Sequence, residues 1–213
     1  EVDQEDGRVT DARCSGTMFR GLENIMCGRD PRDAPMLAQR ICGVCPQAHA
    51  TAACSALDRV FGIEDDMPQN GRLLRNILLA ANVLQSHILH FYHLAALDYV
   101  DVTAAAEYTG EDSSLRSVQK FLERGSLEPY VPRYEGDYRL TQEENLQATR
   151  HYAEALDFRR SAHELLSLFG GKMPHQCTAV PGGVATEVTA DKVTRAFAQV
   201  RELQDFIENS YLP

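Results

Sequence analysis

The apolar positions of this chain follow a helical rhythm over most of its length, with one exception at the start. Residues 1–15 alternate polar and apolar around Asp6-Gly7, a dipeptide that favours a tight turn, and predict a short β-hairpin. From Thr17 onward Met18, Leu22, Ile25 and Met26 recur at three- and four-residue spacing, predicting a helix that Gly28 ends. Pro31 suits the first turn of a second helix reaching about Arg40. The stretch Cys42–Cys45 contains Gly43, precedes Pro46, and reads as a turn between helices. A further helix is predicted from Ala48 to Phe61, closed by Gly62. The longest run goes from Pro68 to Val100, where Leu73, Leu74, Ile77, Leu78, Ala81, Leu84, Ile88, Phe91, Leu94 and Leu97 share a broad apolar face. A helix of that length spans roughly 50 Å. Residues 125–140, with Gly125, Pro129, Pro132 and Gly136, are expected to be irregular. Thr141-Gln142-Glu143-Glu144 has capping-box spacing and opens another long helix to Phe169, stopped by Gly170-Gly171. After a loop with Pro174, Pro181, Gly182 and Gly183, a last helix is predicted from about Thr189 to Tyr211.

Helices this long in a globular protein belong to bundles. The expected architecture is therefore mainly α with a short N-terminal β-hairpin. No repeat, low-complexity tract or linker interrupts it, so residues 1–213 are expected to form one helix-dominated domain. The ending at Tyr211-Leu212-Pro213, directly after a helix, suggests the N-terminal part of a longer subunit.

Composition narrows the partners. Lys and Arg total 21 against 31 Asp and Glu, a net charge of −10, and the chain has no basic run; such a surface repels a phosphate backbone and argues against nucleic acid. No window approaches the ~18–20 apolar residues of a membrane helix. The acidic Glu1–Asp6 start lacks the basic and apolar regions of a signal peptide, so secretion under its own signal is not expected, leaving a processed product or travel with a partner that carries the signal.

Six cysteines, Cys14, Cys27, Cys42, Cys45, Cys54 and Cys177, are too sparse for a disulfide scaffold, and two of them stand only three positions apart. In Arg40-Ile41-Cys42-Gly43-Val44-Cys45-Pro46-Gln47-Ala48-His49 the turn brings both sulfurs toward one metal, and glycine lets the backbone pass close. Thiolates suit zinc, iron and nickel. His49 follows Cys45 by four residues, one helical turn, and faces the same side. Half a zinc site, a redox pair and simple burial remain alternatives on spacing alone. His87, His90 and His93 recur every three residues, which turns the outer two about 120° apart on a helix. They are expected to be buried, hydrogen-bonded bundle residues rather than ligands. Cys14, Cys27, Cys54 and Cys177 are expected to be small buried hydrophobes.

Beyond the cysteine motif, Ser15-Gly16-Thr17-Met18-Phe19-Arg20-Gly21-Leu22-Glu23 and Gly28-Arg29-Asp30-Pro31-Arg32-Asp33-Ala34 precede it in order. His90-Phe91-Tyr92-His93-Leu94, Ala96-Leu97-Asp98 and Pro181-Gly182-Gly183-Val184 follow. Together these closely resemble the N-terminal half of the large, catalytic subunit of nickel–iron hydrogenases, from about Glu1 to Pro213. The resemblance implies reversible heterolytic splitting of H2 at a Ni–Fe centre whose iron carries carbon monoxide and cyanide. It makes Cys42 a terminal nickel ligand, Cys45 the nickel–iron bridge, His49 the hydrogen-bonding partner of the bridging sulfur, and Glu23 a magnesium ligand. It also implies an iron–sulfur small subunit as partner, the clusters lying only there. Location is then expected at the periplasmic face of the membrane by export with that subunit, the alternative being cytoplasmic.

The family's second Cys-x-x-Cys, with the histidine after it, has no match here, because Cys54 and Cys177 stand alone. This chain by itself is therefore expected to be inactive without a C-terminal remainder. Ser86 stands where respiratory relatives often carry an aspartate, so the charge near the site should differ. Other readings are an isolated non-catalytic fragment with an incomplete metal site, or a bundle like the quinone-site subunit of complex I, which lacks the metal; Cys42, Cys45 and His49 argue against the latter.

Overall fold

The computed structural model describes residues 1–125, 130 and 138–213. The irregular stretch expected at 125–140 therefore lies mostly outside the described residues.

Strands β1 (Val2–Glu5) and β2 (Arg8–Ala12) pair antiparallel around the Asp6-Gly7 turn, with both turn residues at positive φ and a register shift between Asp3 and Gln4. Every residue of the hairpin is exposed. Helix α1 is shorter than the apolar spacing predicts. It spans only Leu22–Met26, and Met18 and Phe19 stay exposed in the segment before it. Gly21, which precedes α1, has a left-handed backbone that a helix begun at Thr17 would not tolerate. The segment from Pro31 is likewise broken: a 3-10 turn at Pro31–Asp33, α2 (Ala34–Ala38), then a second 3-10 turn at Gln39–Ile41. Pro35 fits the first turn of α2, where its missing N–H costs nothing.

Helix α3 (Pro46–Val60) follows the cysteine turn, and α4 (Gln69–Ile88) begins the long run. The helix continues beyond Ile88 as a π turn at Leu89–Ala95 and a 3-10 turn at Ala96–Asp98, so its α-helical geometry stops well short of Val100. A 3-10 segment (Val102–Glu107) and α5 (Ser113–Glu123), which the apolar pattern did not announce, lead to α6 (Gln142–Gly170). Thr141 and Glu144 form the expected capping box on α6, and Gly171, at φ 81°, ends it. Strands β3 (Ala179–Val180) and β4 (Gly183–Val184) make a two-residue hairpin; α7 (Ala190–Phe206) and a π turn to Tyr211 close the chain.

The core lies where α4 runs along α6, with α7 packed against α6. Leu74, Leu78, Ala81 and Ile88 of α4 meet Ala155, Ala162, Leu165, Leu166 and Phe169 of α6, with Leu203 and Phe206 of α7 beside them. Phe158 stacks on Phe206 with ring centroids 4.0 Å apart. A smaller cluster of Ala105, Leu115 and Leu122 seats α5. One buried ion pair ties the parts together. Arg75 of α4 pairs with Asp58 of α3, donates to the carbonyls of Gly183 (3.2 Å) and Val180, and Asp58 accepts from the Gly182 amide at 2.7 Å. Gly71 permits this close approach, since a Cβ there would stand 3.2 Å from the Gly183 Cα.

Two burial expectations fail. His87 and His90 are exposed, and only His93 is half-buried, its Nε2 3.2 Å from the Tyr152 carbonyl. The 300° rotation that separates the three on a helix puts His87 and His90 outside the α4–α6 contact. Of the four isolated cysteines only Cys54 is buried, with burial pushing its thiol up to about 11, whereas Cys14, Cys27 and Cys177 are exposed in connecting segments.

Candidate metal centre

Cys42 ends the 3-10 turn Gln39–Ile41, and Cys45 is the N-cap of α3. Cys45 makes no side-chain capping hydrogen bond and Pro46 has no N–H, so the first turn of α3 begins uncapped at the cysteine turn. The Sγ atoms of Cys42 and Cys45 and an imidazole nitrogen of His49 all lie within 4.8 Å of one another. Among the described residues no other three His, Cys, Asp or Glu side chains gather this way. His49 Nε2 stands 3.6 Å from Cys45 Sγ, and the Cys45 backbone N–H donates to Cys42 Sγ at 3.1 Å.

The two thiols are unequal. For Cys42, burial pushes the thiol up, but hydrogen bonds from Cys45 and the turn backbone and the Arg20 charge outweigh it and hold it below the ordinary range. For Cys45, burial and the neighbouring Cys42 push the thiol up to about 11. Both sulfurs are half-exposed, and Ile41 and Val44 beside them are exposed, so the site is open on one side. Arg20, from the strand-free segment before α1, donates to the carbonyls of Arg40 (3.2 Å) and Ile41 (2.5 Å), fastening that segment to the cysteine turn. The loop after α6 approaches from behind: the Gln176 carbonyl accepts from buried Gln39 at 3.1 Å.

Two cysteine sulfurs with an imidazole against one of them are donors suited to a soft metal. Glu23 sits elsewhere. It is exposed on α1 in a groove of about 260 Å³ lined by Met18, Phe19, Arg20, Leu22, Met26 and Ile41. A hard, six-coordinate magnesium ion needs several oxygen ligands. Among the described residues Glu23 belongs to no group of three His, Cys, Asp or Glu ligand atoms.

The fold and the site define a long-helix bundle carrying an open cluster of two cysteines and a histidine that could hold a metal. The chain belongs to the nickel-dependent hydrogenase family, whose profile matches residues 20–213. It is 46% identical to the periplasmic NiFeSe hydrogenase large subunit of Desulfomicrobium baculatum, covering 100% of this chain and 38% of that protein. It is 37% identical to the hydrogenase-2 large chain of Escherichia coli K12, over 97% of this chain and 41% of the relative. Among solved structures, the Ni-Fe-Se hydrogenase of D. vulgaris Hildenborough in the reduced state superposes with a TM-score of 0.80 at 46% identity, over 100% of this chain and 39% of that one. The chain thus spans about 40% of the length of the relatives it matches. The mainly helical fold with its N-terminal hairpin is that of these large subunits. Members of the family bind a nickel–iron centre. No helix among the described residues is long and apolar enough to cross a membrane.

The cysteine pair and His49 were legible because their spacing is local. Asn82 and Gln85, which reach the cysteine turn from α4, carried no spacing signal at all. Arg20 stood inside a quoted motif, but nothing in the sequence indicated what it holds.

Proposed function

We propose that these residues form the N-terminal metal-binding region of a nickel–iron hydrogenase large subunit. The gathering of Cys42, Cys45 and His49 at the start of α3, in a chain of this family, carries the reading. Cys42 and Cys45 would hold the nickel–iron centre, Cys42 as a ligand of nickel and Cys45 as a ligand nearer the iron. Bound there, a nickel–iron centre with carbon monoxide and cyanide on its iron supplies reversible heterolytic cleavage of H2, with electrons passing to the iron–sulfur small subunit. The remaining ligands come from large-subunit polypeptide outside residues 1–213, on the open side next to Ile41 and Val44. The protein's own contributions are positional. His49 donates toward the Cys45 sulfur and withdraws electron density from it. Arg20 fixes the carbonyls just ahead of Cys42 and adds positive charge beside that thiolate. The work is placed on the periplasmic side, as in the Desulfomicrobium baculatum relative, through export with the small subunit.

The test is to purify the chain together with the complete hydrogenase assembly and measure nickel and iron per chain, with infrared bands for carbon monoxide and cyanide. Stoichiometric nickel and iron with those bands are expected, and Cys42→Ser and Cys45→Ser should each lose the nickel and H2-dependent dye reduction. Zinc at one per chain with no infrared bands would replace this reading with a structural zinc site.

A further inference from the structure

The cysteine turn is held from outside by two amide side chains of α4. Gln85, fully buried, donates from Nε2 to the Val44 carbonyl at 2.6 Å. Asn82, 2% exposed, donates to the same carbonyl at 3.3 Å, while its Oδ1 accepts from the Gln47 N–H at 3.0 Å. One bond lies immediately before Cys45 and the other two residues after it, so both flanks of the turn are gripped. The direction of the Gln85 amide is itself fixed. Its Oε1 faces two donors on α6, Arg159 Nε at 3.3 Å and His163 Nε2 at 3.1 Å, while Nε2 also meets Ser86 Oγ at 2.8 Å. A flipped amide would set its NH2 against the guanidinium and its oxygen against the Val44 carbonyl.

The gripped carbonyl belongs to the Val44–Cys45 peptide, and the N–H of that same peptide is the one that donates to Cys42 Sγ at 3.1 Å. A trans peptide is planar, with its C=O and N–H pointing in opposite directions. Fixing the oxygen toward α4 therefore fixes the N–H toward the sulfur. Hydrogen bonds accepted by the oxygen also polarise the amide and strengthen its N–H as a donor. Hydrogen bonds to ligating sulfur tune the metal that the sulfur holds.

Resting on the nickel–thiolate reading above, we propose that Gln85 and Asn82 are positioning residues: through the Val44–Cys45 peptide they direct an N–H onto the Cys42 sulfur and set its donor strength toward nickel. Arg159 and His163 serve as the orienters of Gln85. The clamp is built from α4 and α6, the two helices at the centre of the core, so the rigidity of the bundle is transmitted to a turn that Gly43 alone would leave loose.

The test uses the 213-residue chain and Ni²⁺ alone. Gln85→Glu keeps shape and the acceptor that faces Arg159 and His163, but replaces the donor to Val44 with an oxygen; Gln85→Leu removes both. Thr51→Val is the control, since it deletes the Gln47–Thr51 hydrogen bond on α3 without touching Val44. Both Gln85 variants should weaken nickel binding 10–100-fold. They should also move the thiolate-to-nickel absorption to lower energy, because the sulfur becomes more electron-rich, and speed hydrogen exchange at the Cys45 amide at least tenfold in the metal-free chain. Thr51→Val should change the melting temperature without moving the absorption. If Gln85→Glu keeps wild-type absorption and exchange, or if affinity merely tracks melting temperature across all three variants, the clamp is only structural and the proposal falls. If the wild-type chain binds no nickel through Cys42, it is the nickel–thiolate reading that fails; the Cys45 exchange rates then still decide whether the clamp directs that N–H.

Discussion

Arg75 and Asp58 show how a pair of ordinary helix charges becomes a structural necessity at the scale of single residues. Both side chains are almost wholly buried, at 8% and 2% exposure, and the Arg75 guanidinium also serves two carbonyls of the β3–β4 hairpin. Burial pushes the Asp58 carboxyl up, but the bonds from Arg75 and from the Gly182 N–H outweigh it and hold the acid below its ordinary value. A carboxylate lowered in the folded state stabilises the fold fully above its unfolded value near pH 4, and that contribution is lost as the pH falls through the lowered folded value. Arg75→Leu leaves a buried carboxylate unpaired and is expected to cost about 3–5 kcal/mol in urea unfolding at pH 7. The same titration repeated below pH 4 should show the variant's deficit shrinking, as the pH falls from the unfolded value of Asp58 through its lowered folded value and the wild type loses the pair's contribution. A deficit under about 1 kcal/mol at pH 7 would mean that water reaches the pair. Neither residue was legible in the sequence. A lone aspartate on α3 and a lone arginine on α4 look like solvated charges until the hairpin, more than a hundred residues further on, closes over them.

At the scale of elements, α6 and the π turn carry three histidines whose environments act in one direction. Burial lowers His93, with the Arg159 charge adding to it and the Tyr152 carbonyl opposing. Burial lowers His151, helped by Arg150 and opposed by Glu154, and burial with Arg159 lowers His163. A histidine lowered in the folded state is kept neutral there, so the unfolded chain binds more protons below about pH 6.5. Stability should therefore be fully present above that value and fall on acidification from about pH 7 toward pH 5, before the carboxylates contribute. Thermal melts at half-unit steps check this; His93→Gln and His163→Gln should each flatten the slope, and a flat wild-type profile between pH 7 and 5 would sink it. The same elements show what the sequence could convey. The hairpin at Asp6-Gly7, the cysteine turn and the capped start of α6 were readable because each is specified by neighbours within four residues. The break of the long helix at Ile88 into a π turn was not, because the apolar pattern runs through it unbroken and only the tertiary contacts of Tyr92 with Phe206 and Tyr211 mark it. Helix α5 escaped because its apolar face is short and serves a small satellite cluster. For the site, the donors were local and legible, and the α4 side chains that hold them lie 35 to 41 residues further along the chain.

The whole molecule exposes 13801 Å². A folded monomer of 23.7 kDa would show roughly 9,800 Å², so about 4,000 Å² more surface than usual is bare. Part of it is the β1–β2 hairpin, exposed at every residue. Part is apolar and patterned. Val193, Phe197 and Val200 form an exposed stripe at i, i+4 and i+7 along α7, Leu73 and Ile77 do the same on α4, and Met18 and Phe19 stand bare in the segment fastened by Arg20 to the cysteine turn. Apolar stripes of this kind mark surfaces that another polypeptide covers. The relatives that this chain matches are about two and a half times its length, judging from the 38–41% of them that it covers. Held alone in solution, the chain is expected to cover these stripes with copies of itself. Sedimentation velocity at rising concentration should then show the weight-average mass climbing above that of one chain. Phe197→Glu, placed mid-stripe on an exposed position, should lower that association at least several-fold while leaving the melting temperature within a few degrees, because the residue takes no part in the buried core. A wild-type chain that sediments as one copy at every concentration would show that the bare surface is tolerated as it stands, and would remove the physical ground for a covering polypeptide on α7.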